Sequence, residues 1–184
     1  AGARVNEQAA VEFGARVLTG SMNQQIVTGI NAAGGRAVGL SGKDGNLVIA
    51  RKVAMTKTDP ATGEKVAIDL GFVGEPDTVN PEVLHSIMKS ETIPVIAPIG
   101  VGRKGETFNI NADTVAGAVA CALNAERLIL LTDVEGVLDQ DKKLIPRLSV
   151  PELRRLTAGA PTSGGMSPHH RTARRPACCA APAR

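Results

Sequence analysis

Three polar residues at alternate positions, Asn109, Asn111 and Asp113 in the sequence NINADT, have the clearest chemical potential in this chain. They stand where a predicted strand gives way to a predicted helix of small residues, VAGAVACALNAE. Helix capping is one interpretation, because Asn is favoured at an N-cap and a carboxylate in the first turn interacts favourably with the helix dipole. The other is a binding site for a small polar acid, because free main-chain amides at a helix start attract anions.

Asn109 favours the binding interpretation over simple capping. It lies two residues before Asn111, so the two carboxamides are expected on the same side of the incoming strand. The Gly and Ala residues that follow would let a ligand or another part of the backbone approach closely. In such a site Asp113 would suit the orientation of cations, such as lysine ammonium groups, rather than direct contact with an anion.

A second acidic stretch, LLTDVEGVLD at residues 130–139, follows a predicted buried strand. Ligands of open α/β sheets gather outside the carboxyl ends of the strands, so this strand exit is a candidate nucleotide-binding edge. A simple turn capped by Asp133 is the alternative. The sequence alone leaves both open.

The elements that would position these residues are short and alternate between helix and strand. Helices are predicted at 9–18, 22–33, 81–90, 112–124 and shortly after residue 151, with Thr19-Gly20-Ser21 interrupting the first two. Strands are predicted at 36–40, 47–53, 65–70, 93–99, 106–110 and 127–131, with a hairpin turn at 58–63. Solidly apolar strands that alternate with helices indicate an α/β fold with a mostly parallel sheet covered on both faces and a few hairpins attached.

Two glycine-rich motifs fail as nucleotide-binding loops. GVGRKG at 100–105 matches a dinucleotide fingerprint, but a predicted strand follows it where a helix is required, so a hairpin turn is predicted instead. GLSGKDGN at 39–46 contains a Gly-Lys pair like that of a P-loop. A P-loop would also need glycine at position 37 and a magnesium-binding hydroxyl at position 44, where this chain has Ala37 and Asp44. Neither motif predicts a phosphate site.

Composition and charge exclude several classes of protein. The 184 residues are 43% hydrophobic and only 2% aromatic, with no apolar run long enough to span a bilayer and no export signal at the start, so a cytoplasmic location is expected. The formal net charge of +3 arises in residues 167–184, which hold four Arg and no acid, and this leaves −1 for residues 1–166. Nucleic-acid binding is therefore not predicted, nor is a membrane partner.

Residues 167–184 differ in composition from the rest of the chain. They contain Ala, Arg and Pro but none of Leu, Ile, Val or Phe, which predicts a disordered extension or the product of an out-of-frame reading. The adjacent pairs His169-His170 and Cys178-Cys179 suit tetrahedral zinc poorly, so no metal site is predicted.

Several motifs together resemble the amino acid kinase family, in particular its members that phosphorylate the γ-carboxylate of N-acetyl-L-glutamate in arginine biosynthesis. They are ARV (3–5), VLTGSMNQQIV (17–27), GGRAVGLSGKDGN (34–46), IDLGFVGE (68–75), NINADT (109–114), ERLILLTDVEGVLD (126–139) and SGGM (163–166). The resemblance implies a three-layer αβα sandwich with a mostly parallel central sheet. It also implies ATP with Mg²⁺ as co-substrate and a homo-oligomer in the intact family.

The resemblance also assigns residues to roles. Arg4, Asn109 and Asn111 would bind the acyl-amino-acid, and Asp113 would act in catalysis by orienting two lysines beside the transferring phosphoryl group. The implied ATP-binding residues are Asp133, Val134, Glu135, Gly136, Val137, Leu138, Pro161, Thr162 and Ser163. Residues 1–124 would form part of the substrate-binding lobe and 125–166 part of the ATP-binding lobe, followed by the tail at 167–184.

The chain also departs from the family pattern. It starts after the family's lysine-bearing strand and glycine loop, and His169 stands where a lysine follows the GGM motif. Both lysines beside the transferring phosphoryl group are thus expected to be missing. Because positive charge there is central to such chemistry, the chain as written is expected to show no measurable turnover. Two alternatives stay open: a non-catalytic remnant that binds ATP or arginine, and a sister kinase with another substrate.

Overall fold

The computed structural model of the protein describes residues 8–58, 64–131, 136–139, 141 and 143–159. The chain divides into two compact units, the first from Gly2 to Val115 and the second from Ala116 onward, and each is described by itself. The lobe boundary predicted at residues 124–125 stays a prediction. Within the described residues no helix is both long enough and apolar enough to cross a membrane.

A long helical stretch opens the described part of the first unit. It comprises α1 at Gln8–Arg16, a π-helical turn at Val17–Met22 and α2 at Asn23–Ala32. The predicted interruption at Thr19-Gly20-Ser21 is wrong, because the chain stays helical there. The Thr19 hydroxyl donates to the Ala15 carbonyl at 2.7 Å, and the wider π-helical turn accommodates residues that are poor α-helix formers.

Strands β1 at Ala37–Ser41 and β6 at Ile93–Ala97 pair in parallel, and α2 packs against both. Asn23 fixes this contact: its side chain is 4% exposed, and its Nδ2 donates to the carbonyls of Leu40 at 3.3 Å and Val95 at 2.8 Å. Gly39 is required beneath it, because a Cβ there would lie 2.0 Å from Asn23 Oδ1. A helix side chain thus ties two parallel strands together.

Four other strands form a small closed barrel, called here the closed group of strands. They are β2 at Val48–Lys52, β5 at Val73–Val79, β7 at Ile99–Val101 and β8 at Thr107–Ile110. β2 pairs with β5 and β7 with β8 in antiparallel fashion, whereas β5–β8 and β2–β7 are parallel. The predicted strand at 93–99 is therefore divided at Pro98 between two sheets, and both parallel and antiparallel pairs occur.

The interior of this closed group is filled by a few apolar side chains and needs glycine at its walls. Phe108 and Ile110 are buried there together with Ala50. At Gly100 a Cβ would lie 2.7 Å from Ile110 Cδ1 and 2.9 Å from Ala50 Cβ, and at Gly74 it would lie 2.6 Å from Phe108 Cβ. The strands therefore approach one another too closely for side chains at these two positions.

The predicted hairpin is confirmed as β3 at Met55–Thr58 paired antiparallel with β4 at Lys65–Ile68. The turn residues 59–63 lie outside the described residues. At the base of the hairpin Lys52 Nζ lies 2.7 Å from Asp69 Oδ1, and the same oxygen accepts from the Gly71 amide at 2.8 Å. The Lys52 contact is the largest cause that lowers the pKa of Asp69, followed by the Gly71 amide.

Both glycine-rich motifs form structural turns, as predicted. In SGKDGN the Asp44 carboxylate accepts from the amide and hydroxyl of Ser41 at 2.6 and 2.8 Å, so the carboxylate closes the loop on itself. In GVGRKG the Gly102 amide donates to the Glu106 carbonyl at 2.8 Å, and Gly105 has a φ of 85°. The second motif is thus the hairpin turn between β7 and β8.

Helix α3 at Pro81–Met88 follows β5, and its start uses two local signals. The Asn80 side chain accepts from the Glu82 amide at 3.3 Å, and Pro81 occupies the first helical position, where its missing amide hydrogen removes no bond. The next helix, α4 at Ala112–Ala122, begins in the first unit directly after β8.

The second unit contains fewer regular elements among its described residues. Helix α5 at Val150–Gly159 begins after Ser149, whose hydroxyl and amide both donate to the Glu152 carboxylate, and this lowers the pKa of the Glu152 carboxyl. The strand predicted at 127–131 is wrong: Ile129 is 77% exposed and Leu131 is 96% exposed. No described strand pairs with this segment, and an apolar run becomes a strand only where a neighbour completes its hydrogen bonds.

Candidate functional site

Asn109 lies in the middle of β8, which pairs with strands on both sides. Its amide donates to the Phe72 carbonyl at 3.0 Å, and in register it faces Val73 of β5 and Ile99 of β7. Phe108 and Ile110, the two neighbours of Asn109, are buried inside the closed group. Because side chains alternate along a strand, the half-buried Asn109 side chain faces the opposite side. Among the described residues, no hydrogen-bond partner of its carboxamide is present.

Thr107 shares the Asn109 face of β8, and it binds a lysine that sequence reasoning missed. Lys43 Nζ donates to Thr107 Oγ1 at 3.0 Å across a separation of 64 residues. Residues two apart on a strand are separated by about 7 Å. The fold thus places an ammonium group on the face that carries Asn109, and no local sequence signal could have found it.

Asn111 caps α4, as the first interpretation of NINADT predicted. Its Oδ1 accepts from the Thr114 amide at 3.1 Å and from the Thr114 hydroxyl at 3.2 Å, while its carbonyl accepts from the Val115 amide. The carboxamide oxygen is therefore engaged within the protein. Any direct contact of Asn111 with a ligand would come from its Nδ2 donors.

Asp113 is half-buried in the first turn of α4, the end of the helix at which the dipole favours a carboxylate. The structure therefore brings Asn109, Asn111 and Asp113 together at one junction between a strand and a helix. This junction lies at the carboxyl end of β8, where ligands of α/β proteins gather.

The predicted ATP-binding residues are only partly described. Gly136, with a φ of 146°, precedes Val137 and Leu138, which form a small local hairpin. The Val137 carbonyl accepts from the Ile145 amide at 2.8 Å, and Leu138 pairs with Leu144. Arg4, Asp133, Val134, Glu135, Pro161, Thr162 and Ser163 lie outside the described residues. Their roles stay predictions.

Similarity to known proteins extends along most of the chain. Residues 2–179 match the model of the family described as the amino acid kinase family. The chain belongs to the amino acid kinase family. This membership confirms the predicted α/β fold class. The structure contains parallel strands, as this fold requires: β1 pairs with β6 and β5 with β8.

Curated relatives within this family are closely similar to the chain. The acetylglutamate kinase of Parvibaculum lavamentivorans is 58% identical over 167 residues, which cover 91% of this chain and 55% of the relative. The acetylglutamate kinase of Afipia carboxidovorans is 57% identical over 168 residues, covering 91% of this chain and 57% of the relative. The chain thus spans about half the length of the curated relatives it matches.

Solved structures of the same fold are also similar to this chain. The crystal structure of smu.665 from Streptococcus mutans matches with a TM-score of 0.75 and 25% identity, covering 95% of this chain and 66% of that chain. N-acetylglutamate synthase from Neisseria gonorrhoeae, complexed with coenzyme A and N-acetyl-glutamate, matches with a TM-score of 0.69 and 22% identity, covering 95% and 36%. The second likeness shows the fold alone.

Proposed function

We propose that the junction of β8 and α4 binds N-acetyl-L-glutamate and that the intact protein phosphorylates its γ-carboxylate with ATP, in arginine biosynthesis. The observation that carries this proposal is the open carboxamide of Asn109 beside a helix start. The identity of 58% to a protein named acetylglutamate kinase supports the choice of substrate. We propose a cytoplasmic homo-oligomer that acts on small molecules.

The reaction is a phosphoryl transfer between two anions. An oxygen of the substrate γ-carboxylate attacks the γ-phosphorus of ATP, and the bond from that phosphorus to the ADP oxygen breaks, giving an acyl phosphate and ADP. Positive charge must be placed where the negative charge accumulates in the transition state. The amide groups at the start of α4 supply part of it, and Asp113 would orient cations rather than meet the phosphate itself.

Substrate binding would use groups that match an acyl-amino-acid. The Arg4 guanidinium would form paired hydrogen bonds with a carboxylate, and the Asn109 carboxamide would both donate and accept. Asn111 would contribute its free donors while its oxygen caps α4. The Arg4 guanidinium would favour an acid over a neutral molecule of the same size, and the two carboxamides would fix the orientation of its polar groups.

Nucleotide binding would involve Asp133–Leu138 and Pro161–Ser163. Mg²⁺ would be held mainly by the nucleotide phosphates, as is usual for this ion. When bound, Mg²⁺ would neutralise phosphate charge. The loss of one charge-stabilising group typically lowers the rate by a factor of about 10² to 10³. With His169 in place of one family lysine and the other lysine also expected to be missing, we propose that this chain has no measurable turnover.

Calorimetric titration of the full chain with N-acetyl-L-glutamate and with ATP·Mg²⁺, beside a coupled assay of ADP release, tests this proposal. We expect saturable binding of both ligands, without measurable release of ADP. N-acetyl-L-glutamine, which lacks the γ-carboxylate, is the matched comparator and should bind more weakly. Absence of N-acetyl-L-glutamate binding would refute the substrate assignment, and rapid turnover would refute the impairment.

A further inference from the structure

A cleft of about 400 Å³ opens at one end of the closed group of four strands. Its walls come from the end of β2, from the residues just before β5 and from the turn between β7 and β8, all in the first unit. Phe108 lines it, whereas Asn109 faces the other side of the same strand. The cleft is therefore distinct from the proposed substrate site, and its volume is in the range of pockets that hold small organic molecules.

The floor of the cleft is apolar. Phe72 and Phe108 lie there with ring centroids 6.3 Å apart and a tilt of 44°, and Phe108 is 6% exposed. At Gly102 a Cβ would lie 2.4 Å from Glu106 Oε2 and 2.8 Å from Phe108 Cε2. Glycine thus allows the turn to approach the Phe108 ring. The half-buried ring of Phe72 offers most of the surface on which a flat apolar group could lie, with Phe108 beneath it.

The rim of the cleft is basic. Arg51, Lys52, Arg103 and Lys104 line it, and Glu106 is the single acid among the lining residues. Glu106 Oε2 accepts from the Lys104 amide at 3.0 Å, so this carboxylate is directed at the main chain of the turn. The lining therefore presents more positive than negative charge.

Three of the four rim cations have an acidic partner outside the lining. The pairs are Arg51 with Glu75 at 2.9 Å, Lys52 with Asp69 at 2.7 Å and Arg103 with Asp77 at 2.9 Å. The basic side chains of these pairs are at least half exposed, and pairs of this kind are weak and screened by salt. An arriving anion can share these cations, and Lys104 has no ion-pair partner among the described residues.

We propose that this cleft binds a small organic anion, in which a carboxylate or phosphate is attached to an apolar group about the size of one ring. The apolar group would lie mainly on Phe72, over the buried Phe108, and the anionic group would accept hydrogen bonds from Arg103 and Lys104. A neutral molecule of the same shape lacks the second contact, and inorganic phosphate lacks the first. This assignment is independent of the proposed kinase function.

Titration of the full chain with phenylacetate and with phenyl phosphate at low ionic strength tests the proposal and distinguishes the two kinds of anion. Phenylacetamide and inorganic phosphate are the comparators. We expect saturable binding of at least one organic anion, about tenfold weaker binding of both comparators, and loss of affinity as salt is raised. Equal affinity for phenylacetamide, or no saturable binding of either organic anion, would overturn the proposal.

Variants at the rim locate the binding. The double substitution R103A/K104A should weaken binding of the organic anion at least about tenfold, whereas R103K/K104R, which keeps both charges, should retain most of the affinity. The matched control K89A/R127A removes one lysine and one arginine at exposed positions outside the cleft. Equal weakening in the control, or unchanged affinity in R103A/K104A with the fold verified by circular dichroism, would contradict the assignment.

Discussion

The two faces of β8 differ in what their side chains do. Phe108 and Ile110 fill the closed group of strands and are almost fully buried, whereas Thr107 and Asn109 stand half-buried on the opposite face. The buried face packs against glycine walls that leave no room for larger residues. One strand of four residues thus combines a buried face that stabilises the fold with a half-buried face to which we assign the proposed substrate binding, and substitutions can separate the two.

Replacing Phe108 by Ala should have the largest effect on stability. The ring is buried, so its removal leaves a cavity that is expected to lower the free energy of unfolding by about 3 kcal/mol or more. Urea unfolding followed by circular dichroism measures this change. Phe13→Ala is the matched control, because that ring is 70% exposed and its loss should cost less than about 1 kcal/mol. Equal costs would contradict the buried role of Phe108.

Replacing Asn111 by Ala tests how much the helix cap at the junction of β8 and α4 contributes to stability. The substitution removes the acceptor for both Thr114 bonds and should cost about 1 kcal/mol of unfolding free energy. Asn111→Ser should restore most of the loss, because Ser is also a strong N-cap. An alanine variant as stable as the wild type would show that the cap contributes nothing.

Lowering the pH should produce the smallest change in stability, and the two carboxyl groups that respond to it lie outside β8. Lys52 and the Gly71 amide lower the pKa of Asp69, and Ser149 lowers the pKa of Glu152. A carboxyl whose folded pKa is depressed stabilises the protein above its unfolded pKa, and this contribution is lost as the pH falls through the folded pKa. The wild type should therefore lose slightly more stability than Asp69→Asn between pH 5 and 3. Parallel thermal melts over this range would measure the difference, and identical pH profiles would contradict it.

Local signals in the sequence predicted most individual elements. The helix at 81–90, the hairpin at the glycines of GVGRKG and the strand-to-helix junction at NINADT were all predicted. Each of these depends on residues within a few positions of one another, which is why sequence reasoning reached them. The amino acid kinase fold was predicted from the resemblance of these motifs to the family, not from the hydrophobic periodicity of the sequence.

Features that depend on distant partners were not predictable from the sequence. The apolar run at 127–131 has the composition of a strand, yet no described strand pairs with it. Asn23, which bridges β1 and β6, and Lys43, which binds Thr107, act across 17 to 72 residues of sequence. A buried carboxamide or a paired lysine carries no local mark of its partner, so only the structure identified them.

The most direct test of the central claim compares Asn109→Asp with Asn124→Asp in binding and in stability. Asn109→Asp places a negative charge beside the proposed acidic substrate, while Asn124 is exposed at the end of α4. We expect Asn109→Asp to weaken N-acetyl-L-glutamate binding by at least about tenfold and to change the unfolding free energy by less than about 1 kcal/mol. Asn124→Asp should change neither quantity. Wild-type affinity in Asn109→Asp would contradict the assignment of this face of β8 to substrate binding.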